Sequence, residues 1–176
     1  MIQDERVRRL NDGNVRAGRY VLYWMQASCR AEDNHALEFA VRRANELGRP
    51  VLAGFGLTDD FPGANARHYT FLLEGLRDVQ EALARRGIPL VVRRGRPDVV
   101  AAGLARDACL VVTDRGYLRV QREWRDRAAA AIPRLLVQVE SDVVVPVETA
   151  SDREAYSAAT LRPRLARLLP RFLVPL

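Results

Sequence analysis

The sequence contains no lysine; all 28 of its basic residues are arginine, set against 22 acidic ones. A phosphate-binding P-loop is thereby excluded, because its GxxxxGK[ST] pattern needs a lysine for the phosphates. There are only two cysteines, Cys29 and Cys109. That is too few for a disulfide scaffold and fits a reducing, cytoplasmic compartment. Only two histidines occur, His35 and His68, with no CxxC or HExxH spacing, so no metal site is expected. No apolar run approaches the ~20 residues of a membrane span, and no membrane contact is expected. The first 18 residues are polar and lack the apolar stretch of a secretory signal.

What is present points to a folded domain. The chain has 176 residues, 48% of them hydrophobic and 28% charged, a balance that excludes disorder. The net charge is +6, which favours a polyanionic partner. The plain alternative is arginine scattered over solvated faces. Arg42-Arg43 and Arg85-Arg86 interleave with Glu38, Glu46, Asp78 and Glu81, as a mixed solvated surface would. Arg93–Arg96, with Arg162, Arg164, Arg167 and Arg171, is the stronger candidate for an anionic partner or a further domain.

A polar lead-in over 1–18 ends after the turn signal Asn11-Asp12-Gly13-Asn14. Alternation then begins. Tyr20–Met25 is an apolar run of strand length, as expected for a strand covered on both faces. Leu37, Ala40, Val41, Ala44 and Leu47 form one helical stripe over Asn34–Leu47, with Asp33 or Asn34 as its cap and Gly48 at its end. Pro50–Leu57 is a second strand. Ala66–Arg86 is a long helix with the stripe Leu72, Leu76, Val79 and Leu83. Ile88–Val92 is a third strand, followed by a helix opening at Pro97. Cys109–Thr113 is a fourth strand, Val120–Ala131 a helix stopped by Pro133, and Leu135–Val139 a fifth strand. Asp142–Glu148 reads as extended chain away from the sheet centre. Alternation over 19–150 predicts an α/β domain: a doubly wound, Rossmann-like, five-stranded parallel sheet in the order 3-2-1-4-5, with helices on both faces. After 150 the pattern breaks. A helix is expected over Thr160–Leu169, and the apolar, proline-punctuated end at Pro170–Leu176 reads as the start of a linker in a chain cut from something longer.

In such a sheet, ligands bind beyond the carboxyl ends of the strands where the order reverses, here between strands one and four. The flanking loops are Gln26–Asp33 and Asp114–Arg119. Their polar residues Gln26, Ser28, Arg30, Asp114, Arg115 and Tyr117 form the candidate binding set, with hydrogen bonds for a planar heterocycle and Arg30 or Arg115 for an anion. The plain alternative is that Asp114 and Arg115 shape a turn and Arg30 is solvated. Gly54-Phe55-Gly56 lacks the third glycine of a dinucleotide loop and reads as close packing in a strand. His35 and His68 have no nucleophile or acid beside them and read as surface or packing residues. Cys29 lies on a crevice loop, and Cys109 in the core. No catalytic constellation emerges.

Four segments resemble class II cyclobutane pyrimidine dimer photolyases. They are Tyr20–Leu57 (YVLYWMQASCRAEDNHALEFAVRRANELGRPVLAGFGL), Phe61–Ile88 (FPGANARHYTFLLEGLRDVQEALARRGI), Thr113–Arg125 (TDRGYLRVQREWR) and Val139–Leu165 (VESDVVVPVETASDREAYSAATLRPRL). Cys29 departs from the larger polar residue, such as Gln, that relatives carry there. The resemblance implies an N-terminal α/β antenna domain, with 151–176 leading to an absent helical C-terminal domain. That domain would hold FAD, contact ultraviolet-damaged DNA and carry the catalytic residues, so this piece alone would lack lyase activity. The resemblance also implies a deazaflavin-type antenna chromophore at the crevice. The competing expectation is a non-catalytic docking or DNA-supporting module with an empty crevice, for which the +6 charge speaks.

Overall fold

The computed structural model describes residues 2–176. Six strands form one sheet: β1 (Val7–Arg9), β2 (Tyr20–Met25), β3 (Val51–Leu57), β4 (Leu90–Arg94), β5 (Ala108–Asp114) and β6 (Leu136–Val139). The sheet order is β1-β6-β5-β2-β3-β4. β2 to β6 pair in parallel, and β1 joins β6 antiparallel, Val7 opposite Val139 and Arg9 opposite Val137. The expected five-stranded order is therefore incomplete. A sixth strand extends it, from a lead-in expected to be only polar.

That lead-in is fixed by its side chains. The Asn11 amide donates to the carbonyl oxygens of Ile132 and Arg134, both at 2.8 Å, while its oxygen accepts from the Leu136 amide at 3.0 Å. Arg6 is buried, and its guanidinium donates to the carbonyls of Glu140 at 3.2 Å, Val143 at 2.9 Å and Val144 at 2.5 Å. These contacts are long-range, which is why periodicity missed the strand.

Helices α1 (His35–Leu47), α2 (Ala66–Arg85), α3 (Pro97–Ala105) and α4 (Arg119–Ala131) cover the sheet. Alternation along β2 sorts its side chains. Val21, Tyr23 and Met25 enter the core under α1 and α2, while Leu22 and Trp24 enter the core under α3 and α4. A strand buried on both faces needs such a continuous apolar run. Asn34 caps α1, its oxygen accepting from the Leu37 amide at 3.1 Å, and Gly48 closes it at φ 60°. The Gly54 and Gly56 positions are packing sites: a Cβ at Gly56 would lie 2.6 Å from Pro97 Cα, and one at Gly54 2.6 Å from a Leu104 methyl. The third parallel strand starts two residues later than its apolar pattern indicated. Within the segment expected to be extended, Val147 opens a short helix, α5 (Val147–Ala150).

The last helix, α6 (Ala158–Phe172), runs past Pro170 to a buried Phe172. The Arg6 guanidinium lies 5.5 Å from the centre of the Phe172 ring, and Arg171 pairs with Glu5. The end of α6 thus packs at the β1 edge, whereas Arg93–Arg96 lie at the β4 edge. The expected cluster of both arginine groups does not form, because the whole sheet separates them.

Candidate functional site

A crevice of about 680 Å³ opens beyond the carboxyl ends of β2, β3 and β5, the position expected from the strand order. Its walls come from the loops after those strands, from the first two turns of α2 and α4, and from Pro97 at the start of α3. They are mostly apolar: Met25, Phe55, Leu57, Phe61, Leu72 and Trp124. Phe61 meets Trp124 edge to face, with ring centres 6.0 Å apart. Polar groups enter at few points, through Gln26, Thr58, His68, Tyr69, Tyr117, Gln121 and Asp142.

Of the six residues expected to form the site, Gln26 and Tyr117 line the crevice, whereas Ser28, Arg30, Asp114 and Arg115 do not. Asp114 is fully buried at the end of β5. Its carboxylate accepts from the backbone amides of Gln26 at 2.7 Å, Ala27 at 2.5 Å and Ser28 at 2.5 Å. It therefore folds the loop after β2, like an anion held in a nest of N–H groups. Burial pushes its carboxyl pKa up, opposed by those three amides.

Ser28 and Arg30 belong to a second layer of the same loop. The Ser28 hydroxyl donates to Asp142 at 2.5 Å, and Arg30 donates to Asp142 at 3.1 Å and to the Ser141 carbonyl at 2.8 Å. Arg115 is held by Glu140 at 3.2 Å and by Glu148. The Tyr117 hydroxyl donates to the buried Glu140, and burial with that carboxylate pushes the phenol well up. Tyr117 thus meets the crevice as a neutral ring whose proton is already used. Neither arginine carries a free charge into the crevice, so the expected pairing of Arg30 or Arg115 with an anionic tail meets competition from Asp142, Glu140 and Glu148.

Two groups were underrated by their sequence signals. Asn34, read only as a cap, is fully buried. Its amide donates to Tyr23 Oη at 2.9 Å, Ser28 O at 3.1 Å and Arg30 O at 2.9 Å, locking the crevice loop to α1. Arg125, inside the quoted Thr113–Arg125 segment, donates to Gln26 Oε1 at 3.1 Å. Gln26 Nε2 is buried and has no partner among the described residues. A buried amide donor left unpaired is costly. Cys29 lines the crevice, but burial and then Asp114 and Asp142 push its thiol up to about 12, so it is not a ready nucleophile. His68 completes the capping box of α2, its Nδ1 accepting from the Asn65 amide at 3.2 Å. Among the described residues, no group of side chains could hold a metal ion, and no helix is long and apolar enough to cross a membrane.

Known proteins resemble this chain in sequence and fold. Residues 21–176 match the DNA photolyase family. A deoxyribodipyrimidine photo-lyase of Methanothermobacter thermautotrophicus is 58% identical over 178 residues, which is 100% of this chain and 40% of that protein. One from Potorous tridactylus is 35% identical over 86% of the chain and 29% of its own length; one from Arabidopsis thaliana is 34% identical over 88% and 32%. The chain therefore spans well under half of these relatives. Among solved structures, an archaeal photolyase from Sulfolobus tokodaii, described with two FAD molecules that imply a novel light-harvesting cofactor, superposes with a TM-score of 0.69. It is 14% identical and is matched over 84% of this chain and 34% of its own, a likeness of fold. A putative universal stress protein from Pseudomonas aeruginosa shares the α/β core at a TM-score of 0.52 and 13% identity. The whole-chain match in sequence and the sheet it folds into place this chain in the DNA photolyase family, as the N-terminal domain of its members.

Proposed function

We propose that the chain is the antenna-binding α/β domain of a class II photolyase that reverses cyclobutane pyrimidine dimers in ultraviolet-damaged DNA. The long motifs Tyr20–Leu57 and Thr113–Arg125 support the class. Residues 151–176, which include α6, lead toward the helical domain that holds FAD. The crevice is the antenna site; a chromophore held there would supply blue-light absorption and excitation energy for the flavin.

The observation that carries this reading is the unpaired Gln26 Nε2 beside an apolar crevice of about 680 Å³. A planar heterocycle fits such walls, and a shift of the buried Gln26 amide toward the crevice would let its N–H donate a hydrogen bond to a ring carbonyl. Phe61 and Trp124 supply aromatic contact, while Arg125 orients the Gln26 amide. Ser28, Arg30, Asp114 and Arg115 act one step back, by fixing the loops that carry Gln26 and Tyr117. With both arginines neutralised and Asp142 at the wall, an uncharged tail is preferred to a phosphate. This supports a deazaflavin-type antenna in the crevice over a dinucleotide.

The test is titration of the chain with a deazaflavin, read by blue absorption and emission. A saturable spectral change, weakened at least tenfold by Gln26→Ala, is expected. No change at high ligand excess overturns chromophore binding by this chain and favours a docking module with an empty crevice.

A further inference from the structure

A second concavity, of about 990 Å³, lies between α3 and α4, away from the crevice. The two helices present the same pattern to it. On α3, Val99, Ala102, Gly103 and Arg106 fall at i, i+3, i+4 and i+7. On α4, Arg127, Ala130 and Ala131 repeat the i, i+3, i+4 steps, and Arg134, beyond Pro133 and the extended Ile132, joins them at the groove. An outward helical face is ordinarily polar. Here it is small and apolar, with arginine at its ends, and Val99 is 59% exposed.

Gly103 adds an independent observation. It sits inside α3, where glycine weakens a helix relative to alanine. Yet a Cβ there would meet nothing within 4 Å, so packing within this chain does not require the glycine. The notch admits the close approach of something outside.

Charge decides what that is. Arg93, Arg96, Arg106, Arg127 and Arg134 surround the groove, and its one acid, Asp98, is buried against Arg96 at 2.6 Å and Arg127 at 3.8 Å. Arg93 and Arg106 make no side-chain hydrogen bond or ion pair among the described residues. Arg127 also meets Glu123 at 3.3 Å, and Arg134 donates to the carbonyls of Ala108 and Arg106, so the free positive charge at the rim is that of Arg93 and Arg106, beside an apolar floor. A phosphate backbone would use the rim and leave the floor unfilled. A helix with an apolar ridge uses both, its ridge seated between α3 and α4 at the usual 8–10 Å spacing of packed helices.

We propose that the α3–α4 groove docks an amphipathic partner helix whose small apolar ridge is flanked by glutamate or aspartate. The ridge packs against Ala102, Gly103, Ala130 and Ala131, and the flanking carboxylates reach Arg93 and Arg106.

The experiment is amide-resolved NMR of the isotope-labelled 176-residue chain, titrated with three probes. The first is a synthetic helical peptide with an Ala/Leu ridge flanked by Glu, the second the same peptide with Lys for Glu, the third a 12-base-pair DNA duplex. Saturable shifts confined to the groove amides, Gly103 and Ala130 among them, are expected with the acidic peptide alone. Gly103→Leu and Arg106→Glu should each weaken binding at least tenfold. Both positions are exposed, and an unchanged amide spectrum outside the groove verifies the fold of each variant. The proposal is overturned by groove shifts with DNA but not the peptide, by equal shifts with the lysine peptide, by binding that survives Gly103→Leu, or by no saturable shift with any probe.

Discussion

Replacing Asp114 with alanine removes the acceptor of three backbone amides at once. The carboxylate is fully buried and bonds the Gln26, Ala27 and Ser28 amides at 2.7, 2.5 and 2.5 Å. Each buried amide left without an acceptor costs roughly 1–3 kcal/mol. Two effects reduce the sum. Water from the adjoining crevice can reach part of the vacated space, and a desolvated charge is removed. A net loss of about 2–5 kcal/mol is expected, comparable with breaking a buried ionic contact and a large part of the ~5–15 kcal/mol that holds a domain together. Urea denaturation of the two proteins measures it, and a loss below about 1 kcal/mol would refute the loop-folding role.

Asp114→Asn should lose less, because one oxygen remains, although its amide must face an N–H donor. The two substitutions also differ in pH dependence. Burial raises the folded-state carboxyl pKa, so the folded chain holds that proton more tightly than the unfolded one. The contribution of Asp114 is therefore most favourable below its unfolded value. It declines as pH rises through the folded value and is flat above it. Asp114→Asn should remove that slope from the stability–pH profile.

Two further outcomes follow from packing and burial. Gly56→Ala should destabilise by about 1–3 kcal/mol by overpacking, since its Cβ would press on the Pro97 backbone at 2.6 Å; thermal denaturation measures this, and an unchanged Tm would contradict the packing account. Burial first, and then Arg6 and Arg30, push His35 down to about 4. The stability His35 contributes is full above its unfolded value near ~6.5 and is lost as pH falls toward 4. An NMR titration of the ring should show a midpoint near 4, and a midpoint near the ordinary value would refute its burial among cations.

Local rules went far in this chain because β2 to β6 and α1 to α4 are bounded by local chemistry. Tyr20–Met25 is apolar on both faces, Asn34 and Gly48 bracket a helix, and Pro97 opens another. Alternation of such elements constrains a parallel sheet and its crossovers, and hence the side of the sheet on which a crevice opens. The edge strand Val7–Arg9 was not legible, because three residues without a pattern become a strand only when β6 offers its edge and Arg6 finds the 140–144 carbonyls.

The candidate site divides in the same way. Sequence placed Gln26 and Tyr117 at the crevice because strand ends and loop positions are local facts. It gave the same standing to Ser28, Arg30, Asp114 and Arg115, whose partners lie up to 114 positions away in the chain. Whether a loop charge faces a ligand or a buried neighbour depends on which distant backbone amide or carboxylate reaches it first. Composition and the alternation of local patterns therefore determined an arginine-rich α/β domain with no phosphate loop. Only the tertiary structure decided which arginines are spent inside the fold and which remain free on its surface, because charge pairing is settled by proximity in space and not by spacing along the chain.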